Sequence, residues 1–415
     1  MLSVKVIPSK IENMPTIEVS LAEKRVYLYS KYNPSRDSRI FAEDLYREGS
    51  GLYLVYGLGL GYHIDALVDL IDRDDYHIHV FECNEDIIRI ASDYLERKAL
   101  DRNFTFHQMK NDSLHYGELA RILAMDDISV GIHKPSMEAI PSQFKELKYL
   151  LEEFIMTSSS MEAMSAALDE NFKENIGSFD DRVDSLFGKF EGKAIYIVSA
   201  GPSLDRNMGD LAKLGDGGII LSVGRAAKAL LAMGIRPDYI ILTDPSRHLY
   251  NNQLKGLEPD IPIIVLSTAD KNIMKNYKGK RYIALQKGYP KAEELAEKLG
   301  AVLVRTGGSV ATTALDIAIK MGGNPIVFVG QDLGFTDNKS HSSKARARNI
   351  VDSSGLRDVE DVYGNTIQTS KNLYIYLRWI QNRIEEEKNI EFIDATEGGA
   401  RIRGTKVMRL KDLIK

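Results

Sequence analysis

The sequence predicts an α/β protein with two Rossmann-like domains, mainly parallel sheets and a helical connector between them. Three observations support this. Short apolar runs alternate with segments of helical periodicity along most of the chain. Several of these runs end in glycine-rich or polar turns, where open parallel sheets place their ligand loops. The 415 residues, 44% of them hydrophobic and 27% charged, provide material for two or three globular domains.

Composition and charge exclude several classes of protein. The formal net charge of −5 argues against bulk nucleic-acid binding. Cys83 is the single cysteine, which rules out an internal disulfide framework and suits a reducing compartment. Residues 1–20 lack the apolar core of a signal peptide, and no run reaches the roughly 18 apolar residues of a membrane span. We therefore expect a cytoplasmic protein without a membrane span or a nucleic-acid partner, whose oligomeric state the sequence leaves open.

The pattern divides the chain into four segments. We expect an N-terminal Rossmann-like domain over residues 1–135 and a Leu/Met-rich helical connector over 136–190. A second α/β domain follows over 191–345, and a C-terminal helix and strand over 346–415 complete it. Strands and helices alternate throughout the second domain, which predicts right-handed crossovers between parallel strands.

A glycine-rich turn marks the first domain. A strand from Gly51 runs into Gly57, Gly59 and Gly61, and a second strand ends at Glu82. One interpretation is a site for S-adenosylmethionine or a dinucleotide, with the acid on ribose hydroxyls. The other is a turn whose glycines serve tight packing between strand and helix. Cys83 fits a small apolar core residue better than a nucleophile.

Three turns of the second domain follow apolar runs and carry groups suited to a nucleotide. The first is Gly201-Pro202-Ser203, in which glycine allows close backbone approach and serine offers a hydroxyl. The second is Gly224-Arg225, and the third contains Asp244 and Ser246. Because the carboxyl ends of parallel strands share one edge of a sheet, we expect these turns to converge with Gly307.

The stretch from Thr306 to His341 organises the domain. Gly307 and Gly308 precede Ser309, a natural helix N-cap, and the helix N-terminus suits an anion such as phosphate. An apolar strand at 326–329 then delivers Gln331 and Asp332 at its carboxyl end. The basic segment 339–348 is either a solvated loop or a lid over a phosphate. No group of residues has metal-binding spacing.

Five motifs together resemble the motility accessory factor (Maf) family of flagellin glycosyltransferases. They are, in chain order, GPSLD (201–205), TDPS (243–246), GGSVATTALDIA (307–318), GQDLGFTD (330–337) and TEGGARIRG (396–404). The region is also similar to bacterial sialyltransferases that use CMP-activated sugars and to archaeal MptE-like 6-hydroxymethylpterin diphosphokinases. Ala200 departs from the sialyltransferase pattern, which usually has Asn before Gly-Pro-Ser.

The resemblance implies transfer of a nonulosonic acid, pseudaminic or legionaminic, from a CMP-activated donor to Ser or Thr of flagellin, without a cofactor. It implies that 191–345 is a catalytic nucleotide-sugar-binding domain. Asp332 and His341 are then the candidate bases, and Lys344 and Glu397 belong to the acceptor or sugar side. The expected nucleotide-binding residues are Gly201, Pro202, Ser203, Gly224, Arg225, Asp244, Ser246, Gly307, Gly308, Ser309 and Gln331.

Two other functions stay open at this point. One is an MptE-like kinase that uses ATP and Mg²⁺, although those proteins are shorter and leave the glycine-rich first domain without a role. The other is a non-catalytic, flagellin-binding assembly factor with a vestigial nucleotide cleft.

Overall fold

The computed structural model describes residues 3–21, 24–123, 128–257, 260–335 and 356–414. The chain divides into two compact units, Met1–Met156 and Thr157–Lys415. The division falls within one long helix, in the middle of the segment expected to be a connector. In the described residues no helix is both long and apolar enough to cross a membrane. The predicted α/β class with mainly parallel sheets is confirmed.

The first unit contains two sheets. Its elements are, in chain order, β1 (Ser3–Ile7), β2 (Thr16–Leu21), β3 (Lys24–Tyr27), α1 (Pro34–Leu45), β4 (Leu52–Tyr56), α2 (Tyr62–Val68), β5 (His77–Glu82), α3 (Glu85–Ile90), α4 (Ser92–Lys98), β6 (Phe104–Gln108), α5 (Ser113–Leu123), β7 (Ile128–Ile132), α6 (Lys134–Glu138) and the start of α7 (Lys145–Asn175). Over the described residues, β1, β2 and β3 form an antiparallel sheet, and a parallel sheet has the order β6-β5-β4-β7.

The second unit is built on one parallel sheet. After α7 its elements are β8 (Asp181–Arg182), β9 (Ile195–Val198), α8 (Leu204–Leu211), β10 (Ile219–Val223), α9 (Ala226–Ala232), β11 (Tyr239–Leu242), β12 (Ile263–Leu266), α10 (Lys271–Asn276), β13 (Arg281–Ala284), α11 (Pro290–Leu299), α12 (Val310–Lys320), β14 (Ile326–Val329), β15 (Arg357–Glu360), β16 (Thr366–Thr369), α13 (Lys371–Glu385), β17 (Phe392–Asp394), β18 (Lys406–Val407) and α14 (Leu410–Leu413). β15 and β16 form a separate antiparallel hairpin.

The order of the strands in the large sheet reverses beside β9. Within the described residues the order is β18-β17-β14-β9-β10-β11-β12-β13-β8, and every pairing is parallel. From β9 the chain first adds strands on one side, through β13, and then returns to place β14 on the other side. Such a reversal opens a crevice at the carboxyl ends of the two strands, which is where open α/β sheets bind ligands.

Both faces of this sheet are buried, which explains the continuous apolar runs in the sequence. Successive residues of β9 point to opposite faces: Ile195 and Ile197 enter one hydrophobic cluster, and Tyr196 and Val198 enter another. The first cluster lies under α12, and the second packs against α8. Strands fixed on both faces hold the loops at their carboxyl ends in place.

Side chains of α7 anchor two of these loops. Asn171 Nδ2 donates to the carbonyl oxygens of Pro245 and Thr268, at 3.0 and 3.1 Å. Asn175 Nδ2 donates to the carbonyls of Ser267 and Ala269, at 3.1 and 2.7 Å. Both asparagines are buried. The part of α7 in this unit therefore fixes the loops that follow β11 and β12.

A buried ion cluster joins α12 to α13. The Asp316 carboxylate is fully buried and accepts hydrogen bonds from Arg383 Nε at 3.1 Å, Lys320 Nζ at 2.6 Å and the Arg305 backbone N–H at 2.8 Å. Arg383, itself buried, lies on α13 and the aspartate on α12. The cluster thus sets the distance between two helices whose N-terminal turns border the crevice.

We predict that Asp316→Ala strongly destabilises the second unit. The substitution leaves the buried Arg383 Nε and the Arg305 backbone N–H without their acceptor, while Arg383 Nη1 keeps Glu386 and Glu387. Loss of one partner of a buried ion pair costs about 3–5 kcal/mol of unfolding free energy. Calorimetric melting of the full chain is the measurement. Glu294→Ala breaks a surface pair with Lys298, in which both side chains are 67% exposed, and it should leave the melting temperature nearly unchanged. Equal effects of the two substitutions would contradict the role of the cluster.

Candidate functional site

A cavity of about 530 Å³ lies at the carboxyl edge of the large sheet, where the strand order reverses. The loops after β9, β10, β11 and β14 line it together with the first turns of α12 and α13. Its lining residues are Ser199, Ala200, Gly201, Val223, Gly224, Arg225, Asp244, Gln253, Ser309, Val310, Ala311, Gly330, Gln331, Asp332, Leu333, Gly334, Phe335, Ser370, Asn372, Leu373 and Tyr376.

Asp332 supplies a buried carboxylate to the cavity wall. It follows β14, is only 4% exposed, and accepts a hydrogen bond from the Ser203 hydroxyl at 2.7 Å. The Ser203 backbone N–H also points at both carboxylate oxygens, at 3.3 Å. Burial raises the pKa of Asp332 to about 6, and the hydrogen bonds from Ser203 oppose that rise. A carboxylate with this pKa can accept a proton near neutral pH.

Gln331, next to Asp332, is held by hydrogen bonds to residues at the ends of the strands. Gln331 Oε1 accepts a hydrogen bond from the Ser199 hydroxyl at 2.5 Å, and its backbone N–H donates to Thr396 Oγ1 at 3.3 Å. Ser199 directly follows β9, and Gln331 lies two residues after β14. This hydrogen bond therefore ties the carboxyl ends of β9 and β14 together at the point where the strand order reverses. Gln331 therefore shapes the floor of the cavity.

The N-terminus of α12 presents free backbone donors. Ser309 and Thr312 form a capping box, and Thr312 Oγ1 also accepts the backbone N–H of Gly307 at 3.0 Å. The backbone N–H groups of Val310 and Ala311 have no hydrogen-bond partner among the described residues, and both residues line the cavity. Unpaired N–H groups at the positive end of an 11-residue helix favour the binding of an anion.

Charged side chains complete the wall. Arg225 is exposed and makes no ion pair or hydrogen bond within the described part of the chain. Asp244 is also exposed, and its Oδ1 accepts the backbone N–H of Ser246 at 2.8 Å, which stabilises the turn. The cavity therefore combines a free guanidinium, a free pair of amides and two carboxylates, one exposed and one buried.

Seven of the residues predicted from the sequence line this cavity among the described residues: Gly201, Gly224, Arg225, Asp244, Ser309, Gln331 and Asp332. The expected convergence of separate loops is thus present in the structure. His341 and Lys344 lie outside the described residues, as does the whole basic segment 339–348.

The other predicted residues in the described part of the chain do not line the cavity. Ser203 is fully buried because its hydroxyl donates to Asp332. The Glu397 carboxylate accepts hydrogen bonds from Asn207 Nδ2 and the Leu410 N–H, both at 3.0 Å. Gly307 packs against Trp379, and Gly308 against Tyr376. Pro202 and Ser246 shape the turns without lining the cavity.

The cavity also contains residues that sequence reasoning did not assign to it. Tyr376 follows the helical spacing of an inward-facing residue; it is partly buried, and burial raises the pKa of its phenol. Asn372 and Ser370 belong to the same N-terminal turn of α13. Gln253 lies in the polar stretch after β11, which carries no recognisable motif. A helical pattern identifies an inward face, but it does not distinguish a core from a cavity.

The glycine-rich turn of the first unit is filled by that unit's own side chains. A Cβ atom at Gly57 would lie 2.6 Å from Ser136, and at Gly59 2.3 Å from the Tyr29 hydroxyl. At Gly61 it would lie 2.2 Å from the Tyr94 ring. These contacts are those of close packing, the second of the two interpretations.

Glu82 closes the same turn. It is fully buried, and its carboxylate accepts the backbone N–H groups of Leu58 at 3.2 Å and of Cys83 and Asn84, both at 2.9 Å. Burial raises its pKa to about 7. In this arrangement the carboxylate binds backbone where a nucleotide site would bind ribose. Cys83 is buried and its Sγ lies 3.3 Å from the Tyr56 hydroxyl, as expected for a core residue.

Comparisons with known proteins agree with the resemblance carried by the motifs. The family profile described as MptE-like, 6-hydroxymethylpterin diphosphokinase MptE-like, matches residues 168–338. The solved structure of the MAf glycosyltransferase from Magnetospirillum magneticum AMB-1 is similar over 98% of this chain and 70% of that protein, with a TM-score of 0.52 and 14% identity. No protein of curated function matches the sequence. At this identity the likeness to the solved structure shows a shared fold.

We predict that Gly61→Ala destabilises the first unit more than Gly49→Ala does. The two glycines have nearly the same φ, +81° and +82°, so both substitutions incur the same backbone strain of about 1–2 kcal/mol. No atom lies within 4 Å of a Cβ at Gly49, whereas the Tyr94 ring lies 2.2 Å from one at Gly61. Overpacking adds about 1–3 kcal/mol, measurable as a lower melting temperature. Equal losses would mean that the turn holds open space.

Proposed function

We propose that this chain is a cytoplasmic glycosyltransferase that moves a nonulosonic acid, of the pseudaminic or legionaminic type, from a CMP-activated donor to Ser or Thr hydroxyls of flagellin. One observation carries the proposal: a single cavity combines unpaired amides, an unpaired guanidinium and a buried carboxylate with a pKa of about 6. Departure of a phosphate and deprotonation of a hydroxyl require these groups. The fold shared with a MAf glycosyltransferase supports glycosyl transfer, and the motifs support this donor and acceptor.

Each part of the CMP-activated donor can be assigned to a group in the cavity wall. The phosphate of the cytidylate suits the free N–H groups of Val310 and Ala311, with Arg225 as the counter-charge. The exposed Asp244 carboxylate suits the ribose hydroxyls as a hydrogen-bond acceptor. Gly201 lies in the cavity wall, and its missing side chain leaves room for the Asp332 carboxylate. No metal or cofactor takes part in this scheme.

The reaction is a substitution at the anomeric carbon of the donor sugar. The oxygen of the acceptor hydroxyl bonds to that carbon, the bond from carbon to phosphate oxygen breaks, and its electron pair leaves with CMP. The proton of the hydroxyl passes to a base. Asp332 fits this role, because it lines the cavity and its carboxylate has a raised pKa. Ser203 is then a positioning residue that fixes the carboxylate through its hydroxyl.

Three predicted residues keep roles that come from the resemblance to the Maf family alone. His341 is a second candidate base, and Lys344 is a candidate residue of the acceptor or sugar side; both belong to the basic segment outside the described residues. Glu397 was expected on the acceptor or sugar side. Its side chain ties α8 to the N-terminus of α14 through Asn207 and Leu410, so a role in transfer would require these bonds to break.

A second candidate function is a 6-hydroxymethylpterin diphosphokinase that uses ATP and Mg²⁺. The match of the MptE-like profile to residues 168–338 favours it, because that range contains most of the loops around the cavity. Among the described residues, no group of three or more His, Cys, Asp and Glu side chains has the geometry to hold a metal ion.

Mass spectrometry of the products separates the candidate functions. The full chain is incubated with CMP-pseudaminic or CMP-legionaminic acid and the flagellin encoded in the same genome, and in parallel with ATP, Mg²⁺ and 6-hydroxymethyl-dihydropterin. We expect flagellin to gain mass in steps of one nonulosonate. Pterin diphosphate in the parallel reaction would establish the kinase instead. Flagellin binding without any mass gain would establish the assembly factor.

We predict that Asp332→Asn lowers kcat about 100-fold or more, because the amide cannot accept the proton. In the wild type, kcat should rise with pH through about 6, as the carboxylate ionises, and then level off. Ser203→Ala removes a hydrogen bond that lowers the Asp332 pKa, so it should move this midpoint to higher pH while retaining activity. A pH–rate profile measures both effects. An unchanged midpoint in Ser203→Ala would exclude Asp332 as the base.

Stability provides an independent check on the asparagine variant. The folded-state pKa of Asp332 lies above its ordinary value of 3.8. The protonated side chain therefore contributes fully to the stability of the fold below about pH 3.8, and this contribution is lost as the pH rises through about 6. The amide of Asp332→Asn does not ionise, so the variant does not lose this stability as the pH rises. Its melting temperature at pH 8 should therefore equal or exceed that of the wild type, which shows that lost activity does not come from unfolding.

A further inference from the structure

One polar side chain in the cavity wall has no partner and no role in the scheme above. Gln253 is 8% exposed, and its Oε1 is buried without a hydrogen-bond partner. Its amide nitrogen also makes no hydrogen bond with any described residue. Buried carboxamides are normally paired, because an unpaired one loses its hydration without compensation.

The backbone around Gln253 is unusual and firmly held. The residue lies in a single turn of π-helix, Tyr250–Leu254. The Tyr250 N–H donates to Asp270 Oδ2 at 3.2 Å, and its carbonyl accepts the N–H of Lys255 at 2.9 Å. Lys228 Nζ donates to the Asn252 carbonyl at 2.9 Å. Turns of π-helix are rare and occur frequently at functional sites, so a fixed π-turn that aims an unpaired amide at a cavity points to a ligand.

The surroundings of the amide suit a flat, neutral, polar group. Gly224 lies opposite: a Cβ there would be 2.9 Å from Gln253 Oε1, so the glycine leaves this space open. Val223 and Val310 give the same cavity apolar surface. Arg225 and the α12 amides attract the phosphate, and Asp244 suits hydroxyl groups. A carboxamide is neutral and carries a donor beside an acceptor, which matches the edge of a heterocyclic base.

We propose that Gln253 is a specificity-determining residue that binds the cytosine base of the donor. Its amide N–H groups can donate to the ring N3 or O2 acceptors, and rotation about the terminal bond lets its oxygen accept a hydrogen bond from the exocyclic amino group. This inference rests on the proposed function, since it assigns the base within the same nucleotide site. The bound base completes the hydrogen bonding of an amide that the protein leaves unpaired.

Calorimetric titration with two ligands tests this assignment. CMP carries the base, and ribose 5-phosphate lacks it but keeps the sugar and phosphate. In Gln253→Met, which preserves shape and removes both polar atoms, the Kd for CMP should rise about tenfold while the Kd for ribose 5-phosphate stays within about twofold. The melting temperature without ligand should be unchanged or higher, because an unpaired buried amide has been removed.

Gln286→Met is the matched control. Gln286 is equally buried, at 5% exposed, but its amide is paired with the hydroxyls of Ser267 at 2.6 Å and Thr268 at 2.8 Å, and it does not line the cavity. This variant should melt at a lower temperature and keep the wild-type ratio of the two Kd values. The opposite signs in melting temperature distinguish a ligand-binding glutamine from a structural one.

Three results would overturn the assignment. Equal weakening of CMP and ribose 5-phosphate in Gln253→Met would place the amide on the sugar or phosphate, or show general damage to the site. Unchanged CMP affinity would remove Gln253 from the site and leave the proposed function standing. A wild-type protein that binds neither CMP nor ribose 5-phosphate would overturn the proposed function as well.

Discussion

The close packing of three chain segments around Asp332 is the constraint on which the site depends. A Cβ at Gly201 would lie 1.9 Å from the carboxylate, and one at Gly399 2.2 Å from the Asp332 backbone. Gly330 packs equally closely, with a Cβ there 2.3 Å from the Ser199 carbonyl. A side chain at Gly201 would displace the Asp332 carboxylate from Ser203, and one at Gly330 or Gly399 would push apart the backbone segments that meet there. The glycines of three separate motifs thus share one structural role, which is to bring the segments after β9, β14 and β17 together.

The sequence predicted those parts of the site that depend on local rules. Ser309 caps α12 because the hydroxyl and the helix start are adjacent in the chain. The loops at Gly224 and Asp244 converge because parallel strands with helical crossovers must bring their carboxyl ends to one edge. The orientation of Ser203 followed a different rule. Its hydroxyl turns inward to a carboxylate 129 residues later, a partner that no local pattern specifies.

Three residues, Gln253, Tyr376 and Glu82, show why other parts of the structure could not be predicted from the sequence. Gln253 enters the cavity through a π-turn, and the stretch around it carries no periodic signal. Tyr376 follows the helical spacing of a core residue, and only the arrangement of α12 and α13 leaves space in front of it. Glu82 stands where a nucleotide fold carries its ribose-binding acid, yet three backbone N–H groups occupy its carboxylate. Spacing identifies a turn, but side-chain partners decide whether it binds a ligand.

The same helix that exposes unpaired groups to the cavity also carries the buried ion cluster around Asp316. The first turn of α12 leaves the amides of Val310 and Ala311 free, and two turns later Asp316 is locked to Arg383 and Lys320. Unpaired polar groups lower the stability of the fold, so the helix that presents them must be held in place by other contacts. Because the ion cluster joins α12 to α13, the free amides are held in a fixed orientation without a ligand. In the proposed reaction, binding of the CMP phosphate would then require little ordering of the protein, which favours affinity for the leaving group.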